Sequence, residues 1–175
     1  MTEGTVTIIG LPVPAVSPLL VGIVIVHTAV GLACVIAALI AMASTKGPGR
    51  HAWFGRIYYW TLAFISGSAT VLAATRSSED AHLFVLGALA FASGWLGLRV
   101  LRAARPHRLA LHMLGMGTSF ILLLTAFYVD NGRNLPMWRE LPQLAFWLVP
   151  ALIGVPIMAW TWRRHPLLRG GRQKH

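Results

Sequence analysis

Acidic residues are scarce in this chain, which has only five Asp and Glu among 175 residues. Charged residues of either sign make up 11%, whereas a soluble domain usually carries about a quarter. Hydrophobic residues make up 56%, and long intervals hold no charge at all. The composition therefore excludes a soluble globule and a disordered chain. It predicts an all-α, polytopic membrane protein.

Cysteine is nearly absent as well. Cys34 is the single one, so it has no partner for a disulfide and no second thiol for a metal site. The sequence Cys-x-x-Cys-His does not occur. These absences exclude a disulfide scaffold, a cysteine-bound zinc cluster and covalently attached haem. We expect Cys34 to act as a small buried hydrophobe within a helix.

The charge-free intervals supply five apolar segments of about the 20 residues that a membrane-spanning helix needs. They are residues 19–43, 57–75, 81–98, 109–129 and 141–162. We predict a single domain at residues 19–163, a bundle of five transmembrane helices. Glycine and serine recur within these segments, and such small residues favour close packing of helices in lipid.

The charges give this bundle a direction. With alternating crossings, 12 of the 15 Lys and Arg residues fall on one side, and all five acids fall on the other. By the positive-inside rule, the segment at residues 1–18 is extracytoplasmic and the basic tail at 164–175 is cytoplasmic. The net charge of +10 then indicates topology and attraction to anionic lipid headgroups, and nucleic acid is not expected as a partner.

Seven histidines stand out in a chain so poor in other polar side chains. Four of them lie in or beside the predicted spans, where ionisable groups are costly and often functional. Neutral imidazole is the usual axial ligand of non-covalent haem. His51 and His112 lie on the inner side at similar depths and could form a bis-histidine site for haem b. His27 and His82 differ in depth by about 12 Å and match poorly.

Each of these histidines has a simpler alternative, which is a hydrogen bond to a neighbouring helix or to a lipid headgroup. We favour that alternative at this point. No carboxylate lies within any span, and no His-Glu metal motif or phosphate-binding loop is present. The sequence therefore favours a protein without catalytic activity.

A polar cluster follows the fourth span, with Tyr128, Asp130, Asn131 and Arg133 as its candidate contact residues. We interpret Asp130-Asn131-Gly132 as a helix stop, with Gly132 in the left-handed conformation. Two interpretations stay open. The cluster is either a cap and interface turn, or the rim of a ligand site or a docking point for a membrane-protein partner.

The segment that leads into the second span carries a short motif, His-x-x-x-Gly-Arg-x-Tyr. Its residues are His51, Gly55, Arg56 and Tyr58. The motif resembles the signature of an uncharacterised family of predicted bacterial integral-membrane proteins, and the resemblance extends over residues 50–129. It includes His82 and His112. It implies the cytoplasmic (inner) membrane of a bacterium, with multiple spans, and brings no reaction with it.

Two functions remain in view. The first is non-catalytic binding of a small molecule, a lipid or a membrane partner, which the acid-free interior favours. The alternative is a b-type haem protein for electron transfer, with His51 and His112 as the axial ligands. The number of histidines and helices does not distinguish between these two functions.

Overall fold

The computed structural model describes residues 5–8, 11–14, 18–75, 81–103, 107–136 and 138–164. Five helices form its body: α1 (Pro18–Ala43), α2 (Arg50–Thr75), α3 (Ala81–Arg102), α4 (Arg108–Asn131) and α5 (Gln143–Arg164). Ahead of them, β1 (Thr5–Ile8) and β2 (Leu11–Pro14) pair as a small antiparallel hairpin. The basic tail predicted beyond Arg164 lies outside the described residues.

Four helices, α1, α3, α4 and α5, are long and apolar enough to cross a membrane. This confirms the helical, multi-pass membrane class. The segment predicted as the second span, residues 57–75, lies within α2, which is not one of these four. Helix α2 begins at Arg50, seven residues before the predicted span, and takes in Arg56 and a run of aromatic and hydroxyl side chains. Its first two turns are therefore far more polar than the predicted span.

Consecutive helices are the ones that pack most closely: α1 with α2, α2 with α3, α3 with α4, and α4 with α5. The core lies where α1, α2, α3 and α4 meet. Its members are Cys34, Ala37, Ala38, Tyr58, Leu62, Ile65, Ala90 and Leu123. The small residues of α1 recur every three or four positions, which places them on one face. Cys34 is fully buried among them, as expected. Large apolar side chains cover the outside of the bundle, which is the arrangement that suits contact with lipid.

The end of α4 differs from the prediction. Gly132 has φ −55° and ψ −39°, which is right-handed helical geometry, and it starts a 3₁₀ turn over Gly132–Asn134. The left-handed stop predicted at Gly132 is therefore wrong. The glycine is needed for space instead, because a Cβ atom there would lie 2.5 Å from the ring of the buried Phe146. The glycine thus lets α5 close over the end of α4.

Candidate functional site

The rings of His51 and His112 lie together at one end of the bundle. His51 is the second residue of α2, and His112 is the fifth residue of α4. Their ring centroids are 6.4 Å apart, and the ring planes are nearly perpendicular at 84°. His51 lies in the first turn of α2 and His112 in the second turn of α4, so the beginnings of the two helices bring their imidazoles together.

Each of these rings forms a hydrogen bond to a backbone carbonyl oxygen of a neighbouring helix. The Nδ1 of His51 lies 2.9 Å from the carbonyl oxygen of Ala41 on α1, and the Nδ1 of His112 lies 2.9 Å from that of Gly97 on α3. A carbonyl can only accept, so Nδ1 carries the proton in both rings. In the neutral imidazole Nε2 is then the basic nitrogen. Within the described residues, no protein hydrogen bond reaches either Nε2.

Open space lies beside His51 on the same face of α2. Gly55 follows His51 by one helical turn, and a Cβ atom built there would meet nothing within 4 Å. The next residue along that face is Tyr58, whose side chain is buried. A Cβ atom at Gly55 would therefore contact neither the histidine pair nor the tyrosine.

A second polar contact joins α2 and α4 below the histidines. The hydroxyl groups of Tyr58 and Ser119 share a hydrogen bond of 2.6 Å, and these residues are 2% and 0% exposed. Tyr58 follows His51 by seven residues, and Ser119 follows His112 by seven. Two helical turns rise about 10 Å, so the two contacts form parallel layers across the same pair of helices.

Lys46 lies at the mouth of this site, in the connection between α1 and α2. Its ammonium group donates to the carbonyl oxygens of Met42 at 2.7 Å and Ala41 at 3.3 Å. The Ala41 oxygen also accepts the bond from His51. Partial burial lowers the pKa of Lys46 below its ordinary value, because desolvation disfavours the charged ammonium.

The other two candidate histidines have separate partners. The Nδ1 of His27 lies 2.7 Å from the hydroxyl oxygen of Ser68, which itself donates to the carbonyl of Ile65. The ring of His82 contacts that of Trp147 on α5, with centroids 5.7 Å apart. Among the described residues no group of three or more His, Cys, Asp or Glu could hold a metal ion. The site therefore rests on two imidazoles.

The polar cluster at the other end of the bundle is bonded locally. Asn131 donates to the carboxylate of Asp130 at 3.1 Å and to the backbone beneath it. Arg133 donates to the side chain of Gln143 at 2.6 Å. Tyr128 packs its ring against that of Trp138, with centroids 5.0 Å apart. These contacts connect the end of α4 with the loop and with α5, and the four residues do not converge on a common point.

Sequence reasoning singled out His51, His112, Gly55 and Tyr58 but missed Ser119 and Lys46 as parts of one site. The shared spacing of seven residues from histidine to hydroxyl on α2 and α4 is a signal that could have found Ser119. The position of Lys46 depends on how the connection between α1 and α2 turns, which the sequence pattern does not show.

Comparison of the chain with known protein families, curated proteins and solved structures found no match in any of the three. The resemblance carried by the His-x-x-x-Gly-Arg-x-Tyr motif therefore stays a prediction. The geometry of the site is what bears on function.

Proposed function

We propose that this chain is a membrane-bound b-type haem protein that transfers electrons, with His51 and His112 as the two axial ligands. One observation carries the proposal. Two imidazoles from different helices lie with their ring centroids 6.4 Å apart, and each has its Nδ1 held by a backbone carbonyl. A second partner on Nδ1 is the usual way in which proteins orient a metal-binding histidine.

The spacing of the two rings fits this role. With an iron–nitrogen bond of about 2 Å and a ring centre about 1 Å beyond the nitrogen, two axial imidazoles hold their centroids about 6 Å apart. The observed separation is 6.4 Å. The 84° angle between the planes is compatible with this, because each nitrogen coordinates through a lone pair in its own ring plane. The open space at Gly55 supplies room for a flat macrocycle beside His51.

The ligand set favours electron transfer over catalysis. A haem supplies one-electron redox chemistry when it is bound. His51 and His112 would hold the iron from both faces of the haem and would leave no open position for a substrate or oxygen. The bundle has no carboxylate near the two imidazoles among its described residues, which also argues against an acid–base mechanism at this site.

The proposal includes five membrane crossings in the cytoplasmic membrane of a bacterium. Helix α2 packs between α1 and α3, and its 26 residues rise about 39 Å, enough to cross beside its neighbours. The positive-inside rule applied to the 12 cations on one side gives an external N-terminus and a cytoplasmic C-terminus. His51 and His112 then lie at the cytoplasmic side, near anionic lipid headgroups.

The test is the absorption spectrum of the detergent-purified protein after reconstitution with haem. We expect a Soret band and sharp visible bands typical of six-coordinate haem b. Replacing either ligand, His51→Ala or His112→Ala, should abolish the six-coordinate spectrum. The matched variants His27→Ala and His82→Ala should retain it, because their rings bond Ser68 and contact Trp147 instead. A protein that stays colourless, or a His112→Ala variant with an unchanged spectrum, would overturn the proposal.

A groove between α4 and α5 favours a second candidate function, the non-catalytic binding of an anionic phospholipid. The groove has a volume of about 290 Å³ and is lined by Leu114, Val155, Met158, Ala159, Trp162 and Arg163. Its apolar wall suits an acyl chain, and the Arg163 guanidinium suits the phosphate. Native mass spectrometry should find anionic lipid retained by the wild type and lost from Arg163→Gln. Equal retention by both would exclude this site.

A further inference from the structure

The connection between α1 and α2 directs a cation toward the candidate haem site. Gly47 and Gly49 have φ of +142° and +119°, which is backbone geometry that residues with a side chain rarely adopt. This turn lets Lys46 fold back onto the end of α1, where its ammonium donates to Met42 and Ala41. An ammonium group has three N–H donors. One of them is left for a further acceptor.

Lys46 and His51 are linked through one atom, because both donate to the carbonyl oxygen of Ala41. The ammonium is therefore held within a few ångströms of the His51 ring. A ligand coordinated by His51 would have its near edge within reach of Lys46.

Two more cations are the first residues of the two helices that carry the histidines. Arg50 precedes His51 at the start of α2, and Arg108 lies one helical turn before His112 at the start of α4. The acids in the described part of the chain, Asp130 and Glu140, belong to the opposite end of the bundle. The described ion pair, between Arg139 and Glu140, is also at that end. No described carboxylate therefore neutralises the cations beside the histidines.

The side of the site that lies toward the middle of the bundle is apolar. Beyond Gly55 the described face of α2 continues into Tyr58 and Leu62, which are 2% and 1% exposed. Met116 of α4 packs against the same core. The space between the histidines thus has a cationic edge at the helix ends and an apolar edge toward the middle of the bundle. Haem b has the same division, with two carboxylates on one edge and hydrocarbon on the other.

We propose that Lys46, together with Arg50 and Arg108, binds the propionate carboxylates of the haem and so sets its orientation, with the propionates toward the helix ends. This inference rests on the proposed haem site. The shared chemistry is that of an oxyanion, which a lipid phosphate could also supply, so the test must separate the two sources.

The experiment compares haem with its dimethyl ester, in which both carboxylates are blocked, by Soret titration in a neutral detergent without lipid. We expect the wild type to bind haem about tenfold more tightly than the ester. Lys46→Gln should weaken haem binding about fivefold and leave the ester almost unaffected. Arg108→Gln should act in the same direction, so the inference does not depend on one variant folding.

Arg164→Gln is the matched control. It removes one cation from the end of α5, where the Arg164 guanidinium lies 4.8 Å from the centre of the Trp160 ring. We expect it to leave both affinities unchanged. Adding anionic lipid vesicles should not abolish the difference between haem and ester, since the cations would already hold the propionates.

The outcomes separate this inference from the function on which it rests. Equal binding of haem and ester by the wild type would overturn the propionate site while leaving the histidine ligands in place. An equal loss of affinity for haem and for the ester in Lys46→Gln and Arg108→Gln would overturn the propionate site too. It would mean that the cations affect binding only through the stability of the fold. Loss of the haem–ester difference on adding anionic vesicles would assign the cations to lipid phosphate instead. The absence of any Soret band with either ligand would instead reject the haem proposal itself.

Discussion

Helix α4 meets α3 and α2 in two opposite ways. Against α3 the backbones touch, because a Cβ atom on Gly115 would lie 2.6 Å from the Cα of Gly97. Against α2 the contact is made by the tips of side chains, through His51 with His112 and Tyr58 with Ser119. Apolar side chains gain little free energy by leaving lipid for a helix interface, so small residues that permit close approach form the α3–α4 interface. At the α2–α4 interface, pairs of polar side chains keep the two backbones further apart.

This difference assigns two kinds of glycine. Gly115 and Gly97 lack side chains so that two helices can approach, and their surroundings are filled with backbone. Gly55 lacks one where a Cβ atom would meet nothing within 4 Å, and the same is true of Gly67. A packing role therefore explains only the first two glycines. Gly55 differs from Gly67 in following His51 by one helical turn, and the haem proposal gives that position a use.

The largest effect is expected from filling the closed interface. Gly115→Val would push against the Cα of Gly97 and the carbonyl oxygen of Ser93, which are backbone atoms that cannot rotate away. We expect the free energy of unfolding to fall by about 3 kcal/mol, measured by SDS titration in mixed micelles. Gly67→Val is the control, since its Cβ would meet nothing within 4 Å. Equal losses in both variants would mean that the α3–α4 contact is not tight.

Filling the open space should separate ligand binding from folding. Gly55→Leu adds a side chain whose Cβ atom would meet nothing within 4 Å, and leucine is the better helix former by about 0.8 kcal/mol. We therefore expect thermal stability without haem to hold or rise, while haem affinity falls about tenfold or more. Soret titration and thermal unfolding measure the two effects. Wild-type haem affinity in this variant would show that the ligand does not use this space.

A smaller loss of stability than that of Gly115→Val is expected at the hydroxyl pair. Ser119→Ala leaves the buried hydroxyl of Tyr58 without its hydrogen-bond partner, which costs about 1–3 kcal/mol. Tyr58→Phe in the same background removes the stranded group and should recover part of that loss. A double-mutant cycle on the free energy of unfolding measures the coupling. Additive losses would indicate that the two residues stabilise α2 and α4 separately.

The helices could be predicted because charges bracket them. The starts of α3 and α4 fall within a residue of the predicted spans, since Asp80 and Arg108 mark the edges. The start of α2 could not be predicted, because hydropathy alone does not show whether Arg50 to Arg56 is loop or helix. The left-handed conformation predicted for Gly132 was wrong for a related reason. The use of this glycine depends on Phe146, which is distant in sequence.

The site was predictable in part. The charge pattern predicts that His51 and His112 lie at the same end of the bundle, so the sequence alone makes them a candidate pair. Their rotation about the helix axes does not follow from it, and rotation decides whether two rings meet. Lys46 required the glycine turn after α1, and Ser119 required the register of α4 against α2. These features depend on tertiary packing, which periodicity along one helix does not contain.

The two contacts between α2 and α4 also restrict how these helices can move. A single contact would allow either helix to swivel around it or slide along its own axis. Two contacts spaced seven residues apart on both helices fix the rotation of each helix and its position along its axis. Turning one helix by a single residue, about 100°, would break both the histidine pair and the Tyr58–Ser119 bond together. The distance between the imidazoles is therefore a property of the whole bundle, and a disturbance near Ser119 should be felt about 10 Å away at His112.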